Sequence, residues 1–181
     1  MAHTIQTPSQ YKSALLRRFA SEDGATAVEF ALVAPPFFFL IFGLLEVSLI
    51  FFMSVVLEHG TQQTARLVRT GQIEKTINLD DFRTEVCSQS VALPDCENRL
   101  SVDVQVVSDF ENTSMDLPVD GAGNLASAGF AINVGNANEI VVVRAFYIWP
   151  LITPLLSTPL SNVAGNNRLL VAAEAMKNEP F

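Results

Sequence analysis

The chain has 181 residues, 49% of them hydrophobic and 17% charged, with a formal charge of −8. That length suits a single globular domain, and the apolar content excludes a disordered tail protein. The acidic balance excludes binding to nucleic acid through phosphate neutralisation, and two His with two Cys are too few for most metal sites.

Hydrophobicity is concentrated in one place. Seven of the thirteen Phe residues fall between Phe30 and Phe52. Residues 1–24 are polar, with Lys12, Arg17 and Arg18 followed by Glu22, Asp23 and Gly24. The next thirty-three residues, Ala25–Leu57, carry only two charges, Glu29 and Glu46. A bilayer core of ~30 Å needs roughly 20 helical residues, whereas this stretch would measure ~50 Å as a helix. One transmembrane helix is therefore expected, spanning about residues 28–50, with a surplus projecting beyond the lipid. Glu29 and Glu46 would lie ~25 Å apart along it, far enough for each to reach an interface and escape the cost of a carboxylate at the midplane. Glu46 at the outer interface would then need only water, although pairing within a bundle is open to it as well. Pro35 and Pro36 remove the partners of the Ala31 and Leu32 carbonyls, which predicts a bend near residues 31–36 rather than a helix end.

The helical pattern continues past the span. Leu57, Thr61, Ala65 and Val68 recur at steps of three or four, and Glu58, Gln62, Gln63, Arg66 and Arg69 supply a polar face. Gly60, Thr61, Thr64 and Ala65 are small enough to admit another element. Arg66 and Arg69 suit a helix C-terminus and Gly71 the position just past it. The whole helix is expected from about Thr26 to Thr70.

Beyond Gly71 the sequence predicts a small α+β domain. Asn78 or Asp80 can cap a short helix with Leu79, Phe82 and Val86 on one face. Leu100, Val102, Val104 and Val106 alternate with Ser101, Asp103 and Gln105, the pattern of a half-buried strand. Residues 112–135 are rich in Gly, Ser, Asn and Asp and predict a long loop. Glu139–Trp149 is dense in β-branched and aromatic residues and predicts a strand. Arg168–Met176 suits a last strand, although Ala172–Met176 suits a helix equally. Cys87 and Cys96 are close enough in sequence to close a small loop in an oxidising compartment, worth ~2–3 kcal/mol in the chain-entropy model; in the cytosol they would be free thiols. Basic residues are slightly more numerous before the span than after it, which favours a cytoplasmic N-terminus.

Catalytic readings find little support. His3 lies in the polar leader and His59 beside Glu58 on a solvated helix face. The Gly121–Gly129 segment lacks a P-loop Lys and fits neither nucleotide fingerprint. Asp109, Asp116 and Asp120 with Asn112 and Asn124 offer oxygen ligands, but their spacing misses the EF-hand loop. No enzyme activity, cofactor or metal is expected.

The informative motif is Gly24-Ala-Thr-Ala-Val-Glu29-Phe30, directly before the apolar run. A cleaved secretory signal has a shorter apolar core with small residues after it. Here the core is long and the Gly precedes it, which suggests a signal-anchor or cleavage on the cytoplasmic side. The stretch resembles a type IV prepilin processing site, cut after Gly24, with Ala25 as the new N-terminus and Glu29 as fifth residue. Together with ARLVRTGQ at Ala65–Gln72 and the C-terminal MKNEPF, the sequence resembles the TadE-like family of minor pilins (pseudopilins) of bacterial tight-adherence, or Flp, pilus systems. The likeness covers about residues 22–72, with more at Val141–Pro154 and Met176–Phe181; Phe30 stands where the major Flp pilins carry Tyr.

That resemblance implies a leader over residues 1–24, a long kinked N-terminal helix over 25–72 and a periplasmic pilin-like α+β domain over 73–181, the helix packing on a small antiparallel sheet. It implies an inner-membrane, single-pass chain matured by a prepilin peptidase. Its partners would be other pilin or minor-pilin subunits, the inner-membrane pilus assembly platform and the lipid bilayer, and its role the assembly, initiation or anchoring of an adhesive pilus. The residues carrying these roles would be Gly24 and Ala25 for processing, Glu29, Phe30, Pro35, Pro36 and Glu46 for membrane and assembly, and Cys87 and Cys96 as a disulfide. Removing the leader would leave 157 residues with eight basic and seventeen acidic side chains, a balance of −9. The alternative is an uncleaved signal-anchored periplasmic binding module.

Overall fold

The computed structural model describes residues 22–109, 117–153 and 157–180. Lys12, Arg17, Arg18, His3, Asn112 and Asp116, and with them all but the last residues of the expected leader, lie outside the described residues. Two compact units divide the chain, the first ending at Leu44 and the second running from Leu45 to Phe181. Helix α1 (Glu22–Arg69) contributes to both.

In the first unit α1 passes through Pro35 and Pro36 without ending. Residues 24–44 include no buried residue. Phe30, Leu32 and Val33 are among the most exposed, Leu32 at 72%. Phe38 stacks on Phe42 one turn later, with ring centroids 6.2 Å apart. Phe38 also meets Phe37 edge-on, and all three rings remain exposed.

In the second unit α1 behaves differently. Glu46, Ile50, Met53, Leu57, Thr61, Thr64, Ala65 and Val68 are buried at steps of one, three or four, forming a continuous stripe. Glu58, Gln62, Arg66 and Arg69 face outward. The two buried threonines are satisfied within the helix, Thr61 Oγ1 donating to the Leu57 carbonyl (2.8 Å) and Thr64 Oγ1 to that of Gly60 (3.0 Å). Gly60 gives passage to the end of a second helix: a Cβ there would overlap the Ser90 hydroxyl and come within 3.3 Å of the Val86 carbonyl. Helix α1 ends as its sequence predicts. Gly71 adopts φ 70°, its N–H donates to the Val68 carbonyl, and the Gln72 N–H donates to that of Leu67, the pairing of a Schellman motif.

Helix α2 (Leu79–Gln89) is capped by Asn78, whose side-chain oxygen accepts from the Asp81 N–H at 2.9 Å; Phe82 and Val86 are its buried positions. A disulfide joins Cys87 near its end to Cys96 at the start of the one-turn helix α3 (Cys96–Arg99). Strand β1 (Leu100–Val107) follows directly, then β2 (Ile140–Pro150), the one-turn helix α4 (Ser157–Leu160) and β3 (Asn167–Lys177). The sheet has three strands in the order β1-β2-β3, both pairs antiparallel. The ambiguous last segment is thus a strand: its β2 neighbours offer a full ladder from Pro150–Asn167 to Ile140–Lys177.

Register decides which residues meet the helix. Leu100, Val102 and Val104 of β1 align with Tyr147, Ala145 and Val143 of β2, and these β2 positions align with Leu170, Ala172 and Glu174 of β3. All but Glu174 join Ile50, Met53, Leu57, Ala65 and Val68 in one hydrophobic core. An α+β fold results, a long helix with a small antiparallel sheet.

The other sheet face departs from the half-buried strand expected of β1. Asp103 is fully buried. Its Oδ2 accepts from Arg144 Nε (3.1 Å) on the neighbouring strand, and its Oδ1 accepts from the Ala131 N–H (3.1 Å). The loop between β1 and β2 covers this face. Phe130 stacks on Phe146 with centroids 5.1 Å apart, and Val104 exchanges backbone hydrogen bonds with Ala131 and Asn133.

A candidate membrane and assembly helix

The residues singled out for membrane and assembly roles fall into two environments. Gly24, Ala25, Glu29, Phe30, Pro35 and Pro36 lie in the first unit, on a helix surface that is exposed throughout except for partly covered Gly24, Ala34 and Gly43. Helix α1 is long and apolar enough to cross a membrane, with a mean hydropathy of 2.5 in its most apolar window. Residues 25–45 number twenty-one, matching the roughly 20 that a bilayer core requires.

Glu46 lies in the second unit and is 4% exposed. Its two carboxylate oxygens accept from the backbone N–H groups of Ile152 (2.7 Å) and Thr153 (2.6 Å). Water was the expected partner at this position; two amides take its place. The reason lies in the chain that leaves β2. After Pro150 the ladder stops; the Leu151 N–H donates to the Asn166 carbonyl (3.3 Å), and the next two N–H groups are accepted by the buried Glu46 carboxylate. A single side chain thereby fastens the β2–α4 connection to α1. Sequence reasoning had no access to this pair, because its members are more than a hundred residues apart.

Further ties close the rest of the unit. Cys87 and Cys96 are bonded across nine residues. Tyr147, buried in the core, donates its hydroxyl to the Pro94 carbonyl inside that loop (2.5 Å). Burial raises the Tyr147 phenol above its usual pKa, against the opposing charge of Arg99. The C-terminal MKNEPF segment also finds a structural role. Asn178 is buried and donates to the Val134 and Asn136 carbonyls (2.8 and 3.1 Å), while the Glu179 N–H donates to the Arg69 carbonyl at the end of α1 (3.0 Å).

Asp120, one of the oxygen ligands considered for a cation, is engaged locally. Its Oδ1 accepts from the backbone N–H groups of Asn124 (2.8 Å) and Ala122 (2.9 Å), and these bonds, Asn124 first, hold its carboxyl below the usual range. No group of three or more His, Cys, Asp or Glu side chains comes together among the described residues. His59 is exposed on α1.

No curated protein and no solved structure matches the chain. Residues 24–66 match the family model described as TadE-like protein, beginning at Gly24 and ending within the last turn of α1. The match takes in the exposed apolar half of the helix together with most of the buried stripe, so the similarity to TadE-like proteins lies in residues 24–66 of α1.

Proposed function

We propose that this chain is a minor pilin of a tight-adherence pilus, held in the inner membrane by residues 25–45 and matured by a prepilin peptidase that cuts after Gly24. One observation carries the reading: the TadE-like match coincides with a helix that leaves every side chain of residues 25–45 unburied and buries a stripe from Glu46 onward. The span is drawn here to end near Leu45 rather than residue 50, because Glu46 and Ile50 are enclosed by the folded unit.

Cleavage would uncover an α-amino group on Ala25, cationic near neutral pH. Four residues on, Glu29 is the carboxylate it would meet, on its own helix or on that of an adjacent subunit. Pairing neutralises a charge that is otherwise costly in lipid and fixes the axial register of packed helices, as buried polar groups do in coiled coils. Residues 46–181 would form the pilin-like domain outside the cytoplasm, its disulfide suited to an oxidising compartment. The role is structural, in assembling, initiating or anchoring the filament through other pilin subunits and the assembly platform.

The test is a strain in which Glu29→Ala replaces the native residue. Loss of pilus-dependent adhesion, with membrane level and thermal stability of the chain unchanged, is the expected result. Undiminished adhesion would contradict the reading and favour an uncleaved, signal-anchored binding module.

A further inference from the structure

We propose that the groove between α1 and the outer edge of β3 binds one anionic phospholipid, its phosphate at Arg168 and an acyl chain along Val47, Ile50 and Phe51. The groove encloses about 330 Å³, with Leu160 and Leu169 on the opposite wall. Every lining residue lies in the second unit.

Three observations specify the occupant. The walls are apolar except for Ser54, whose hydroxyl donates to the Ile50 carbonyl (2.9 Å), and Arg168, whose Nη1 donates to the Leu160 carbonyl (2.8 Å) and which has no carboxylate partner among the described residues. A guanidinium beside an apolar trough is complementary to a phosphodiester carrying hydrocarbon. Val47 and Phe51 also follow the proposed span by two and six residues, ~3 and ~9 Å along a helix, the depth of a headgroup layer. Finally, Phe51 remains 69% exposed and Phe52 55%, apolar surface beside the groove that water would have to cover. Asn162 bonds the outer edge of β3 at Asn167 and Leu169, and beyond Leu169 that edge has no strand partner among the described residues, so a strand from a second copy is the competing occupant.

This inference rests on the membrane reading of residues 25–45, and its test separates the two. Trp149 is the sole tryptophan and pairs with Arg168 across the ladder, one strand spacing of ~4.8 Å away. Full-length chain in detergent micelles is titrated with phosphatidylglycerol brominated on its acyl chains. Saturable quenching of Trp149 is expected, and Arg168→Gln should raise the half-saturating lipid concentration about tenfold, the scale of a charge-assisted hydrogen bond. Phe51→Asp, at an exposed position, should abolish quenching without changing the thermal midpoint. Inorganic phosphate at millimolar concentration should not displace the lipid. Equal titrations for wild type and Arg168→Gln, displacement by inorganic phosphate, or cross-linking of two copies through β3 would each overturn the proposal. If the chain resists carbonate extraction from membranes while Arg168→Gln has no effect, only the lipid site fails; if carbonate releases it, the span reading fails first.

Discussion

The two parts of α1 are built from similar residues and end in opposite circumstances. Between Val28 and Leu45 large apolar side chains stand exposed; beyond them Ile50, Met53, Leu57, Ala65 and Val68 are buried in one core with residues of the sheet and α2. Composition alone separates them poorly, since Phe51, Phe52 and Val55 on the second part are as apolar as anything on the first. What differs is the stripe. From Glu46 onward, residues at one helix face are small or aliphatic and repeat at three or four, and that face meets a core. Before it, Phe, Leu and Val occur all round the helix, the pattern of a segment whose solvent is apolar on every side. Glu46 marks the change: from Gly24 onward it is the first buried residue along the helix, and two backbone amides hold it there.

The sharpest way to break this contrast is to remove the charge partner from beneath the sheet. Arg144→Met would leave the buried Asp103 carboxyl without its guanidinium, at a cost of about 3–5 kcal/mol. Chemical denaturation of the second unit should show it, and Asp103→Leu added to Arg144→Met should recover most of the loss. Next comes the helix itself. Leu57 is fully buried and Leu32 is 72% exposed. Leu57→Ala should cost about 2–5 kcal/mol, and Leu32→Ala within about 0.5 kcal/mol in the same detergent. Equal effects would erase the distinction between the two parts.

A smaller effect is expected at the helix crossing. Gly60→Ala places a methyl against Ser90 and should destabilise by about 1–3 kcal/mol, read from the thermal midpoint. The smallest signal is pH-dependent. Because the folded state raises the Tyr147 pKa, its contribution is complete below the ordinary value of about 10 and is lost as pH rises through the folded value. Stability should therefore decline above about pH 10, and Tyr147→Phe should flatten that decline.

Much of this architecture was legible beforehand, for local reasons. The Gly71 terminus, the Asn78 cap and the β1 and β2 segments each rest on signals within a few residues, and their bounds fall within two or three residues of expectation. The unread features are those made by distant segments. Alternation put Asp103 on an open face, yet the loop that covers it comes twenty-eight residues later. The clue was Arg144, a lone charge inside an apolar strand that needs a partner once buried. Ala172–Met176 could not be decided from propensity because pairing with β2, not the residues themselves, makes it a strand. Glu46 was legible as an unusual carboxylate, but its acceptor role depends on where β2 ends. Of the residues proposed for processing and assembly, the sequence supplies identity and spacing, and the roles proposed for them require a peptidase or a second subunit.

The central claim is that the chain is cut to expose an amine beside Glu29. Intact-mass measurement and N-terminal sequencing of the chain extracted from membranes of piliated cells test it most directly. The account predicts a polypeptide beginning at Ala25, and a Gly24→Val variant that retains its leader. A chain from those same cells that still begins at Met1 would contradict it.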